Sequence, residues 1–220
     1  MEYFLYDSPA LKKYLIENPH EQGEVKFLQS ITEKNMNIVD VGSYIGITTV
    51  TMAKKVSKVY AFEPVPEYFG ILKKNIASNG LKNVNIHRLA VSNREGTTEF
   101  YKDGASSSII FREDANKILV NVTAIDTFIA QEKIDRVDLI NMDCEGSELL
   151  VLKGAEKTLR ENKVKIFCEI HHDNLEELGQ SVQDVEEYLK KLGFKVYGVS
   201  LDDLRLKEEI DKPEYIYAVN

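Results

Sequence analysis

The chain has 220 residues, 28 of them Lys or Arg and 36 Asp or Glu, for a formal charge of −8, and 43% are apolar. That length supports one large domain with a proper core. The acidic balance lacks the basic field that supplies most non-specific nucleic-acid affinity, and no apolar run approaches the roughly 18 residues of a membrane span, so a small or neutral partner is expected, with no nucleic acid and no membrane.

Glu2 and Asp7 precede any basic residue, the wrong order for a secretory signal, and the chain reads as cytoplasmic. Cys144 and Cys168 are too few for a disulfide framework and are expected as free thiols.

The first 35 or so residues look helical, better over 22–31, and are expected to cap the sheet face or its ligand crevice. A β-branched run at 37–41 is followed by apolar spacings of three and four over 45–56, a second strand at 58–62 and a second helix over 67–78. In that helix Tyr68, Ile71, Leu72 and Ile76 share the inner face and Lys73, Lys74 and Asn75 face water, with Pro66 at the first turn and Gly80 past the end. A third strand spans 83–89.

Between 90 and 126 the helical period disappears, and 97–101 and 118–125 read as added strands flanking the polar loop 102–108. Strands at 137–142, 164–170 and 194–199 alternate with helices over 147–159 and 182–192. Residues 201–212 mix both signs at helical spacing, as a solvated face does, and a last strand at 215–219 follows Pro213. Strand, helix, strand at these spacings implies right-handed crossovers. The expected fold is α/β, a Rossmann-like, doubly wound, seven-stranded, mostly parallel sheet, with a helical cap over 1–35 and a main domain over 36–220 that carries inserted strands near 95–123.

In such a sheet ligands sit beyond the carboxyl ends of the strands, where the strand order reverses. The first strand ends in VDVGSYIG, where Gly42 permits a tight turn and Gly46 lets the next helix pack near the sheet. Tyr44 and Ile47 occupy the second and third glycine positions of a dinucleotide fingerprint, and Asp40 precedes the turn, where it would repel a pyrophosphate but could hold, directly or through water, a cationic amino group. A cofactor with an amino-acid tail fits better than a nicotinamide dinucleotide. Glu63 ends the second strand, placed to accept both hydroxyls of a ribose.

VDVGSYIG followed by VYAFEPVPEYFGILKKNIASNG resembles the class I S-adenosylmethionine-dependent methyltransferases. LAVSNREGTTEFY, SSSII, VTAIDTFI and VDLINMDCEGSELLVLKGAEKTL are similar to the FkbM family in particular. The resemblance covers about residues 21–199. It implies S-adenosyl-L-methionine as cofactor, with Asp40, Gly42, Ser43 and Gly46 lining its methionine part, Glu63 and Pro64 its ribose side, and Ala90 with its neighbours the adenine. Ser43 and Tyr44 stand where many members have Ala-Asn, and the third strand lacks the Asp that many class I enzymes turn toward the adenine amino group.

The fourth strand delivers Asn141, Asp143 and Glu145 to the crevice beside the expected methyl position, Asp143 serving both cofactor and reaction, with Ser147 a candidate cap for the next helix. The fifth delivers Glu169, His171, His172 and Asp173. Methyl transfer to a hydroxyl needs a positioned acceptor and a base near neutrality, and His171, helped by Asp143 or Glu145, is the candidate. Asp143, Glu145, Glu169, His171 and His172 could approach one another, but no pair has a dedicated ligand spacing, and no metal is expected. His20 and His87 read as surface or edge residues, and the five acids Asp40, Glu63, Asp143, Glu145 and Glu169 as the lining of one crevice.

The expected reaction is O-methylation of a hydroxyl on a small molecule or glycan. An RNA methyltransferase, a nicotinamide-dependent oxidoreductase and a non-catalytic cofactor-binding protein remain open.

Overall fold

Two helices open the chain, α1 (Pro9–Glu17) and α2 (Pro19–Ile31), each starting on a proline whose missing N–H lies in the helix's unpaired first turn. Strand and helix then alternate through β1 (Asn37–Val41), α3 (Ile47–Ala53), β2 (Lys58–Phe62), α4 (Pro66–Ser78) and β3 (Val84–His87). The chain next forms β4 (Ala90–Val91), β5 (Gly96–Lys102) and β6 (Asn116–Thr123), with a short 3-10 turn at Gly104–Ser106 between the last two. The alternation resumes with α5 (Ile125–Glu132), β7 (Leu139–Met142), α6 (Glu148–Lys153), α7 (Glu156–Glu161), β8 (Lys165–Glu169), α8 (His172–Glu177) and α9 (Val182–Lys191). It closes with β9 (Lys195–Ser200), β10 (Arg205–Lys207) and β11 (Tyr215–Val219). This computed structural model describes residues 3–111, 113, 115–208 and 211–220.

Among the described residues the main sheet has eight strands in the order β10-β9-β11-β8-β7-β1-β2-β3. β1 pairs in parallel with both β2 and β7, so the order reverses at β1 and the crevice opens between the ends of β1 and β7. β11 runs antiparallel between β8 and β9. A second sheet, β4-β6-β5, comes from the inserted strands and brings its loop toward that crevice.

Alternation along β1 divides the core. Val39 and Val41 face α5, α6, α7 and α9 through Phe128, Leu152, Leu159 and Val185. Ile38 faces α2, α3 and α4 through Leu28, Val50 and Leu72. α2 lies on this second face, where Phe27 packs its ring against Phe167 and Tyr217. No helix among the described residues is long and apolar enough to cross a membrane.

Several expectations are corrected. The main sheet has eight strands, because part of the charged segment after β9 turns back as β10 and pairs antiparallel with β9 instead of forming a helix; residues 209 and 210 lie outside the described part. The helix expected over 147–159 is two, broken at Gly154, where a Cβ would stand 2.1 Å from the Ser92 carbonyl oxygen. Asp126 then accepts hydrogen bonds from Lys157 N, Thr158 N and Thr158 Oγ1, which fixes the start of α7. The strand expected over 118–125 stops at Thr123, and Ile125 already begins α5. Asn75 is buried, donating to Ile45 O at 2.8 Å and accepting from Phe4 N at 3.2 Å, so it ties the N-terminal segment to α4.

Candidate functional site

Two turns face each other at the crevice, 42–46 after β1 and 143–147 after β7. They approach so closely that a Cβ on Gly42, whose φ is +79°, would lie 1.6 Å from the Asp143 carbonyl oxygen. Tyr44 and Glu145, one in each turn, hold the left-handed region without being glycine, at φ 46° and 50°. Such strain persists only where the surroundings over-determine it, and it concentrates at functional sites.

Two cavities adjoin these turns. The first encloses about 560 Å³, its mouth included, and has apolar walls from Phe62, Leu89, Val91, Phe100 and Ile109. Glu63, Pro64 and Ala90 line it, and so do Gly104, Ala105 and Ser107 of the inserted loop. The second, of about 760 Å³ on the same basis, is lined by Ser43 and Gly46 on one side and Glu145, Glu169 and His171 on another. Gly42, Tyr44, Ala105 and Asp143 belong to both, so the cavities meet over the two turns. An apolar slot with Glu63 on its rim and Asp143 only where it meets the second cavity suits an adenosine, and the junction suits a reacting centre.

Asp40 lies behind the turn and lines neither cavity. Fully buried, it accepts from Asn141 Nδ2 at 2.7 Å, from Ser43 Oγ at 3.0 Å and from Thr49 Oγ1. Burial raises its carboxyl despite these three donors. Expected to hold a cationic amino group directly or through water, Asp40 instead has no exposed surface, and with one donor on Oδ1 and two on Oδ2 it clamps the turn, α3 and β7 together. Asn141 likewise points at Asp40 and not at the expected methyl position.

Glu63 is 4% exposed. Its Oε2 accepts from Tyr44 N at 2.9 Å and its Oε1 from Val65 N at 2.7 Å, so its orientation is fixed with lone pairs to spare. Burial pushes it up to about 7 against the pull of those two amides.

At the second cavity the structure brings together the residues expected to react. His171 Nε2 stands 3.6 Å from Asp143 Oδ1, 3.4 Å from Glu145 Oε1 and 3.9 Å from Glu169 Oε1. Its Nδ1 donates to Glu148 Oε1 at 2.8 Å, and Gly146 N donates to the same oxygen at 3.0 Å. Glu148 is fully buried and its Oε2 has no hydrogen-bond partner. It opens α6 and fixes the tautomer and aim of the imidazole, a role that sequence reading missed. The expected side-chain cap from Ser147 is absent.

Burial pulls the His171 imidazolium down, but the bond to Glu148 and the charges of Asp143 and Glu145 outweigh it, and His171 is pushed up to about 9. Burial, then Glu169, raises Asp143 well above the usual range, with His171 as the counterweight. Burial also raises Glu145, again against His171. Donor atoms of Asp143, Glu145 and His171 lie within 4.8 Å of one another, close enough to hold a divalent cation. His172 turns away and bonds to Pro213 O at 3.0 Å.

The far wall of this cavity comes from the helices that precede β1. Tyr14, His20, Glu21 and Glu24 line it. His20 is a surface residue, as expected, and also edges this cavity: its Nε2 stands between the Tyr215 hydroxyl and Glu169 Oε1, 3.4 Å from the latter. The single crevice expected for five acids is instead two cavities, with Glu63 in one, Glu145 and Glu169 in the other, Asp143 in both and Asp40 in neither. His87 packs between Phe62 and Phe128, outside both cavities. The structure keeps Cys144 and Cys168 as free thiols.

Residues 40–196 match the family model described as the methyltransferase FkbM domain. Methyltransferase 1 of Beauveria bassiana is 26% identical over 164 residues, 62% of this chain and 66% of its own. The hexuronic acid methyltransferase AglP of Haloferax volcanii is 26% identical over 152 residues, 69% of this chain and 62% of its own. The chain thus spans slightly under two thirds of the length of these relatives. An FkbM methyltransferase structure from Methylobacillus flagellatus superposes with a TM-score of 0.56 at 20% identity, over 84% of this chain and 44% of that one. SMU.1697c of Streptococcus mutans, a methyltransferase structure in complex with S-adenosylhomocysteine (SAH), gives 0.54 at 15% identity, over 89% and 94%.

Proposed function

The chain belongs to the methyltransferase FkbM family, and from that premise we propose that it moves a methyl group from S-adenosylmethionine to a hydroxyl oxygen of a small molecule or sugar. The observation that carries this reading is the meeting of the two cavities over Gly42 and Asp143, with His171 and two carboxyls at the junction. The cofactor supplies an electrophilic methyl on a sulfonium. The apolar walls of the first cavity, with Ala90 among them, take the adenine. Glu63, already aimed by two backbone amides, accepts from the ribose, and Pro64 closes that side. Gly42, Ser43 and Gly46 face the methionine end, and Asp40 holds their turn from behind.

In the second cavity the acceptor hydroxyl is aligned with its oxygen near Asp143. His171, in its neutral form, takes the proton at Nε2, while Asp143 and Glu145 stabilise the imidazolium and Glu148 keeps the ring aimed. A group titrating near 9 is neutral in about 1% of molecules at pH 7, so transfer accelerates as pH rises toward 9. No metal enters this reading. Residues 1–35 act as a cap over the domain formed by 36–220, and the reaction is cytoplasmic.

Two observations favour this reading over its rivals. The glycine spacing after β1 does not meet a dinucleotide fingerprint, and the acids of the second cavity, on a chain of charge −8, would repel an RNA phosphate. Calorimetry tests the cofactor: SAH binds and NADH does not, and the reverse result overturns the assignment. A methyl-transfer screen against hydroxylated metabolites and glycans tests the reaction. His171→Ala is expected to lose about 10²-fold or more in turnover with SAH affinity retained; an unchanged turnover removes His171 as the base.

A further inference from the structure

The second cavity carries more acidic side chains than proton transfer uses. Its walls hold Glu21 and Glu24 from α2, Asp143 and Glu145 from the turn after β7, and Glu169 from the end of β8, and none of the described residues lining it is a lysine or arginine. His171 answers the inner pair, Asp143 and Glu145. The cofactor does not answer the rest: its sulfonium belongs at the junction beside Asp143, and its ammonium and carboxylate cancel. Glu21, Glu24 and Glu169 are left on the cap side, with His20 as their basic neighbour.

These outer acids lie close to one another. His20 Nε2 joins the Tyr215 hydroxyl to Glu169 Oε1, and Glu24 lines the same wall. Burial, and next the charge of Glu169, pushes Glu24 up to about 8, so it keeps a proton where a cation would otherwise stand. A carboxylate accepts from hydroxyls and ammonium groups alike, but only with the latter are both partners charged. A uronic acid would instead bring a further carboxylate against a wall already lined by five acidic side chains.

Resting on the methyl-transfer reading, we propose that the acceptor is a polyhydroxylated molecule bearing a protonated amine, in the manner of an amino sugar. Its ammonium seats against Glu24 and Glu169, and one of its hydroxyls reaches His171. The cap helices thus select the acceptor by charge, while the turns after β1 and β7 carry the cofactor and the reaction.

The test uses the full chain saturated with SAH and titrated calorimetrically with glucosamine, glucose and glucuronate. Glucosamine is expected to bind at least ~10-fold more tightly than glucuronate at low salt, with glucose between, and the gap to narrow as salt rises. Glu24→Gln, an isosteric change, is expected to remove at least ~3-fold of the glucosamine advantage with SAH affinity unchanged. Glu169→Gln gives an independent second reading of the same loss. Glucuronate binding as well as glucosamine, glucosamine failing to bind, or a preference that survives both substitutions overturns the proposal. Failure of SAH itself to bind counts against the methyl-transfer reading instead.

Discussion

Replacing Glu148 with glutamine isolates the charge behind His171 from the hydrogen bond that aims it. The glutamine oxygen can still accept from Nδ1, so the ring keeps its tautomer and direction, while one buried negative charge 2.8 Å from that nitrogen disappears. At an effective dielectric of about 20, unit charges ~4 Å apart interact by ~4 kcal/mol, an upper limit that desolvation reduces. Asp143 and Glu145 remain on the other side of the ring. The titration of His171 is therefore expected to fall from about 9 by about one to two units, or ~1.4–2.7 kcal/mol. Imidazole NMR of the SAH-bound protein from pH 6 to 10 follows it directly, and the rising limb of the methyl-transfer rate should move with it. An unmoved titration in Glu148→Gln, or a wild-type imidazole that titrates near its ordinary value, refutes the reasoning.

Gly42→Ala should be severe, since its Cβ would stand 1.6 Å from the Asp143 carbonyl oxygen at a φ of +79°. A loss of at least ~10-fold in SAH affinity and a lower Tm are expected, and wild-type binding would show that the turns are not held this closely. The ligand-free protein should lose stability as pH rises from about 5 to 9. Raised acids are most stabilising while protonated: Glu63, titrating at about 7 when folded, begins to lose its contribution above its unfolded value near 4.5 and has lost ~3 kcal/mol once pH exceeds 7. His171 contributes fully below 6.5 and loses its share as pH climbs through 9, the same direction. A Tm that increases steadily across that range would contradict both shifts. Methyl transfer should survive extensive chelation; loss with EDTA and recovery with Mg²⁺ or Mn²⁺ would place a cation among Asp143, Glu145 and His171.

What the sequence made legible was the carboxyl end of each strand. A period of two fixes which residue a strand presents last, so Glu63, Asp143, Glu145 and His171 were identifiable before any contact was known. Their partners were not. Asp40 has the same strand-end signature, but whether its oxygens face ligand or protein depends on Asn141, 101 residues away, and on Thr49 from the following helix. Asn75 falls on the polar side of the α4 pattern and is nonetheless buried, because the segment before α1 folds over it. His20 and Glu24 reach the cavity only because α2 docks across β8 and β11, and a helical period says which face is apolar without saying what it meets. The break at Gly154 had a visible residue but no visible reason, since the neighbour that requires it, Ser92, lies on the insertion.

The matched family region runs from 40 to 196, and the second cavity straddles that boundary. Asp143, Glu145, Glu148, Glu169 and His171 lie within it, while Tyr14, His20, Glu21, Glu24 and Tyr215 lie outside. On the proposed reading, chemistry and recognition fall in different stretches of chain that meet at this cavity and also pack directly, Phe27 on Phe167 and Tyr215 beside Glu169. A lineage could redraw the outer stretch, charge by charge, and inherit a new acceptor without relearning how to move a methyl group. An engineer could exchange the helices before β1 between relatives, with the seam between α2 and β1.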